Sequence, residues 1–141
     1  MELVNFELAN PSFSIELIGL GFVWDLHNAA TFLGITLDAN DNSAVMKWST
    51  SGHPAAKYNG CDLVFKDLEN IVVSARDKEL PYSEDLCVSS ISKVSAESVD
   101  IPERRIKVAW NPGDPYRLLF QFQSRRYIEI GAKTAELIGI P

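Results

Sequence analysis

Along most of this chain an apolar side chain returns at every second residue, and that rhythm excludes most folds before any motif is considered. Leu33, Ile35 and Leu37 alternate with Phe32, Gly34 and Thr36, and Ala44, Met46 and Trp48 alternate with Val45, Lys47 and Ser49. Successive side chains of a strand point to opposite faces, so a period of two gives one face to a core and the other to water. The pattern recurs at Cys61, Leu63 and Phe65, in the β-branched run Ile71 to Ala75, and at Ile106, Val108 and Trp110. It is clearest at Tyr116, Leu118, Phe120 and Phe122, answered after Ser124-Arg125-Arg126 by Tyr127 to Ile130. No strand followed by a long helix repeats, which favours strands that pair with their neighbours in sequence. The chain reads as mainly β, or α+β with one or two short helices: an antiparallel β-sandwich or partly open barrel of seven to eight strands. Its expected core gathers Leu33, Ile35, Leu37, Trp48, Leu63, Phe65, Val108, Trp110, Leu118, Phe120, Ile128 and Ile130.

Three segments fit the rhythm poorly. Asn10-Pro11-Ser12 suits a turn or helix start, and Phe13, Leu17, Leu20 and Gly21 would share one face of a short helix that Gly19 and Gly21 weaken. Leu86, Cys87, Ser90, Ile91 and Val94 also share a helical face, although Leu86-Cys87-Val88 suits a strand, so a short helix or irregular crossing is expected there. Ala132 to Ile138 closes as a helical turn or a last strand.

The stretch TLDANDNSAVMKW, residues 36–48, spaces Asp38, Asn40 and Asn42 like alternating calcium ligands. A twelve-residue calcium loop from Asp38 needs Gly at its sixth position and Glu at its twelfth, where Ser43 and Ser49 stand. Short polar side chains that bond their own backbone and tolerate left-handed dihedrals explain the stretch better as a hairpin loop.

At 141 residues the chain fits one domain, 1–141, with no Ser/Gly linker, charge block or repeat to divide it. Nineteen acids against 13 basic residues leave a formal charge of −6. That charge repels phosphate backbones, so nucleic acid is an unfavourable ligand, whereas a basic protein partner is electrostatically suited. Cys61 and Cys87 form no C-x-x-C pair, and no histidine stands at zinc-finger spacing, which makes buried free thiols the default. The acid at position 2 and the lack of any basic residue before Lys47 argue against a secretory leader, and Ile15 to Trp24 is too short to span a bilayer. A cytoplasmic, non-membrane protein without metal or cofactor is expected.

Few residue groups suggest chemistry. In a strand, Asp25 and His27 would project on the same side, where the carboxylate would orient the imidazole as a general base or metal ligand. His53 sits beside Ser51 without a G-x-S-x-G elbow, and Gly19-Leu20-Gly21 lacks the third glycine of a dinucleotide fingerprint. Glu84-Asp85 is a possible carboxylate pair, more commonly a solvated one. Arg104, Arg105, Lys107, Arg117, Arg125 and Arg126 cluster toward the C-terminus, either as a basic surface or as charges that blunt strand edges. Trp24, Trp48 and Trp110 are candidate interface anchors as well as core residues.

The order of Leu26-His27-Asn28-Ala29 before a strand, then Cys61-Asp62-Leu63-Val64-Phe65 with Leu68 and Ile71, then Leu118-Leu119-Phe120-Gln121-Phe122 answered by Tyr127-Ile128-Glu129-Ile130, resembles small β-rich bacterial proteins that confer immunity to polymorphic toxins. Such relatives would carry Asp where Asn28 stands. The resemblance implies a non-enzymatic protein that neutralises its partner by occlusion. The acids Asp62, Asp67, Glu69, Asp77, Glu79, Glu84 and Asp85 would then face a basic protein, with Trp24 as an aromatic anchor. The alternatives are a small-molecule-binding β-barrel and an enzyme using Asp25 and His27.

Overall fold

The computed structural model describes residues 1–50, 57–101, 104–106 and 108–141. Twelve strands lie among the described residues: β1 (Glu2–Val4), β2 (Phe6–Leu8), β3 (Glu16–Gly19), β4 (Phe22–Asp25), β5 (Thr31–Asp38), β6 (Ser43–Ser49), β7 (Gly60–Val73), β8 (Val88–Ser95), β9 (Val99–Ile101), β10 (Arg104–Ile106), β11 (Tyr116–Phe122) and β12 (Tyr127–Ile140), with one 3-10 turn at Tyr82–Leu86. The protein is mainly β. Its large sheet runs β5-β6-β7-β12-β11-β8, with β1 added in parallel to β12, and it does not close into a barrel. A three-stranded sheet, β2-β3-β4, forms the second layer, and β9-β10 is a separate ribbon.

The two longest strands hold the large sheet together. β7 and β12 pair antiparallel from Ile128↔Val73 to Ile140↔Gly60. One edge of β12 is shared in series, Leu118↔Ile130 to Gln121↔Tyr127 going to β11 and Glu2↔Thr134 to Val4↔Glu136 going to β1. β7 bends over residues 67–70, where Asp67 takes a φ of 53° and the ladder to β12 skips Glu69 opposite Gly131/Ala132, a β-bulge. The hairpin loop of β5-β6 locks onto this bend: Leu68 N–H donates to Asn42 O and the Asn42 amide donates to Leu68 O, both at 3.1 Å. Within that loop Asp38 Oδ1 accepts from the N–H groups of Asn40 and Asp41, so the oxygens that resembled calcium ligands are spent on a turn.

The small sheet turns at Leu20-Gly21, both at positive φ (56° and 82°), between Gly19 and Phe22. Positive φ at both central residues is the geometry that twists a two-residue hairpin correctly. It places Phe6, Leu8, Leu17 and Trp24 on the large sheet and turns Ile18 and Val23 outward. Tyr58 clamps the two layers. Its ring packs on Phe22 (5.9 Å) and Trp24 (5.5 Å) and lies against Gly139, where a Cβ would come within 2.5 Å of it. Reciprocal backbone bonds between Ser14 and Ile91, and Lys93 N–H to Pro11 O, tie the segment before β3 to the outer edge of β8.

The space between the layers is filled by rings. Phe32 meets Phe122 at 4.9 Å and Trp48 at 5.2 Å, Trp48 meets Phe120 at 6.1 Å, and Phe65 stands edge-on to Phe120. Contacts between β5 and β11, which are four strands apart, show how strongly the sheet curls.

Several expectations are corrected. Residues 13–21 form no helix, because Leu20-Gly21 is a hairpin turn. Beyond the 3-10 turn, residues 88–95 are strand, held to β11 by its ladder and by Ser89 and Ser90 hydroxyls that donate to the Gln121 carbonyl and side-chain oxygens. The two strands expected around Cys61 and Ile71 are one bent strand, and Ala132–Ile138 continues β12. Leu33 is 63% exposed and Leu37 60% exposed. A bulge between Phe32 and Gly34, with Gly34 at φ 130°, turns Phe32 inward in place of Leu33, and Leu37 lies at the far end of edge strand β5. Val108 and Trp110 follow the β9-β10 ribbon in an irregular segment rather than extending a core strand.

The bulge yields a sharp contrast between neighbours. Phe32→Ala should destabilise the fold by about 3–5 kcal/mol, whereas Leu33→Ala should stay within about 0.5 kcal/mol. Chemical denaturation of both variants checks this, and equal losses would contradict the register of β5.

Candidate functional site

Asp25 ends β4 and begins a turn. Its Oδ1 accepts from the backbone N–H of His27 (3.0 Å) and Asn28 (2.8 Å), and its Oδ2 accepts from the Asn28 amide at 2.8 Å. Burial opposes ionisation of this carboxyl, but the bonds from Asn28 and His27 outweigh it and hold its pKa below the ordinary 3.8. Asp25 therefore orients the backbone and not the imidazole, contrary to the geometry expected of a strand. Asn28 has a role an aspartate could not fill, since a second carboxylate has no proton to donate to Asp25.

The imidazole instead meets β8. His27 Nδ1 lies 2.7 Å from Val88 O and 3.4 Å from Cys87 Sγ. A Cys-His contact between residues sixty apart was invisible in the sequence, because neither position carries a local signature. The short contact to a carbonyl requires Nδ1 to carry its hydrogen, so this nitrogen cannot accept the thiol proton. Cys87 points instead toward His27 O at 3.5 Å. Burial, then Glu84 and Asp25, push the Cys87 thiol above its ordinary value, the reverse of nucleophile activation. Cys61, fully buried beside Asp62, is pushed up to about 12.

The seven acids named from the sequence do not form one face. Asp62 lies near the start of β7, and at about 3.3 Å per residue roughly 36 Å of strand separates it from Val73, beyond which Asp77, Glu79, Glu84 and Asp85 lie. Asp67 and Glu69 are exposed within the bend. In the 74–86 loop, Arg76 Nε donates to Asp85 at 2.6 Å, its guanidinium also bonds Leu80 O and stacks over Tyr82, and Arg125 lies 3.8 Å from Asp77. Burial works against the Asp85 charge, but Ser124, Arg76 and Arg126 beside it keep its pKa low. Asp77 and Asp85 are thus answered within the chain. Trp24 is fully buried with its indole N–H on Gly19 O, so it is no surface anchor. Among the basic residues, Arg117 donates to Ser98 O and Arg104 and Arg105 stand on β10. His53 and Lys107 lie outside the described residues.

The outer side of the large sheet is the surface the sequence did not single out. Ladder partners Lys47↔Asp62↔Ile138 and Ser49↔Gly60↔Ile140 all face away from the core. Leu33, Ile138 and Ile140 are exposed there, and Leu33, Lys47, Trp48, Asp62 and Ile140 line a shallow depression of about 360 Å³. Burial raises the Asp62 pKa, and Lys47 opposite pulls it partly back. The signal for this face was the outward half of the same alternation, with isoleucines where polar residues were due.

Among the described residues no group of three or more His, Cys, Asp or Glu could hold a metal ion, and no helix is long and apolar enough to cross a membrane. No protein-family model matches the chain, and no curated protein or solved structure is significantly similar to it.

The thiol environment can be read directly. Ultraviolet absorbance of the thiolates should place the midpoint of Cys87 above the ordinary 9.0 and that of Cys61 at about 12. A thiolate step at or below neutral pH would contradict the inert Cys87-His27 contact.

Proposed function

We propose that the protein is a non-catalytic binding module that occludes a basic protein partner, in the manner of an immunity factor, through the outer face of β5-β6-β7-β12. The observation that carries this reading is the row of exposed apolar side chains, Leu33, Ile138 and Ile140, around the Lys47-Asp62 pair. An antiparallel sheet normally turns polar residues to water, so exposed apolar residues on two of its strands, β5 and β12, fit a surface that is covered during function. The charge of −6, with Asp67 and Glu69 exposed beyond this face, suits the steering of a cationic partner. The barrel-interior ligand site gains no support, since the space it needs is occupied by Phe32, Trp48, Phe65 and Phe120.

The test is a double variant, Leu33→Asp with Ile138→Asp, which charges the face without touching the core. Affinity enrichment from the native source should yield a basic protein held by the wild type and lost by the variant, and the purified partner should bind the variant at least about tenfold more weakly. A partner that binds both proteins equally well would place the interface elsewhere and overturn the proposal.

A further inference from the structure

The irregular segment 108–115 builds a second feature, independent of the sheet face. Pro112 and Gly113, the latter at φ 92°, make a turn closed by Asp114 N–H to Asn111 O. The Trp110 indole N–H donates to Asp114 O at 2.9 Å, and Ala96 N–H donates to Pro115 O. These bonds, with one proline inside the turn and another directly after it, fix Trp110 in place before any ligand arrives. Tyr116, the first residue of β11, meets the Trp110 ring edge-on at 5.8 Å.

Lys93 rises from β8 opposite Leu118, and its ammonium sits 4.3 Å from the Tyr116 ring centre and 4.8 Å from that of Trp110. Among the described residues no carboxylate lies within ion-pair distance of it. Two ring faces compensate only part of the hydration an ammonium gives up, and burial lowers the Lys93 pKa accordingly. A half-buried cation without a counter-ion is a group that gains from an incoming anion. Trp110 and Lys93 together line two concavities: one of about 590 Å³ that also includes Asp114, Pro115 and Tyr116, and one of about 400 Å³ bordered by Ser12 and Ser92.

We propose that this notch binds a sugar bearing a single carboxylate, of the uronic-acid type. Lys93 takes the carboxylate, Trp110 takes the apolar face of the sugar ring, and Asp114, which lines the larger concavity, accepts a hydroxyl. Asp114 is what separates a sugar acid from a plain anion: an anion without hydroxyl donors meets its negative charge with no hydrogen bond to offset the repulsion. The overall charge of −6 likewise favours one carboxylate over a polyanion.

The full chain is titrated with D-glucuronate, glucose and acetate, following the backbone amide resonances of Lys93, Asp114 and Tyr116, which every variant retains, and in the proteins that keep Trp110 also its indole N–H. Glucuronate should saturate in the millimolar range, with glucose and acetate each at least about tenfold weaker, since one lacks the charge and the other the ring. Trp110→Ala and Lys93→Gln should each weaken glucuronate by about tenfold or more, and Lys93→Arg should retain most of the binding. Thermal melts confirm that the variants are folded, and the conservative Lys93→Arg decides the case if Lys93→Gln is not. No saturable shift with glucuronate, acetate binding as well as glucuronate, or an effect untouched by Trp110→Ala would each overturn the assignment. None of these outcomes bears on the sheet-face proposal, whose variants lie on other strands.

Discussion

The pairing of β7 with β12 is the interaction on which the remaining architecture depends. Two strands of this length, hydrogen-bonded along nearly their whole extent, give every other strand of the large sheet a place to add. β6 and β5 add to the first half of β7, while β11 and β1 divide the far edge of β12 between them. Without that spine the three-residue β1 and the short β2-β3-β4 sheet would have too little pairing or buried area to persist, since isolated ribbons are marginal in water. The bulge at Glu69 bends the spine, and the curl of the sheet as a whole sets Phe32 on β5 against Phe122 on β11. Curvature therefore converts a sheet into a container for its own aromatic side chains.

Filling that container with rings has a functional consequence. Trp24, Trp48, Phe65 and Phe120 occupy the volume in which a barrel protein would hold a ligand. The polar groups near the edge of the core are likewise committed: Asp25 to the turn after β4, His27 Nδ1 to Val88 O, Asp85 to Arg76. The two features proposed for binding, the apolar outer face of the sheet and the Lys93-Trp110-Tyr116 notch, lie on the skin of the molecule. The first depends on side chains turned outward by strands, the second on Lys93 of β8 and Tyr116 of β11 together with Trp110, which the turn before β11 holds.

The local signals in the sequence were reliable where the physics was local. Residues 36–48 read as a hairpin because Asp38 bonds its own turn, and the β11-β12 hairpin was marked by Tyr116 to Ile130. The sequence misled where a single residue shifts the register. At Phe32-Leu33-Gly34 either side chain could face inward, and only the bulge chooses Phe32. Gly19-Leu20-Gly21 looked like a weakened helix because two positive-φ residues in a tight hairpin leave no periodic trace. The candidate sites were the least legible, since His27 and Cys87, or Lys93 and the Trp110-Tyr116 pair, meet only through contacts between segments distant in the chain. The acids were easy to count, but nothing local could show that Arg76 answers Asp85 or that a bent strand separates Asp62 from the acidic loop.

Native-state amide hydrogen exchange tests the spine most directly. Residues 61–66 of β7 and residues 128–130 and 134–136 of β12, flanked by strands on both sides, should exchange only through global unfolding, while the outer edge of β5 and the 74–86 loop exchange through local opening at lower free energy. Faster exchange at residues 128–130 and 134–136 of β12 than in β5 would mean that the fold is organised around something else.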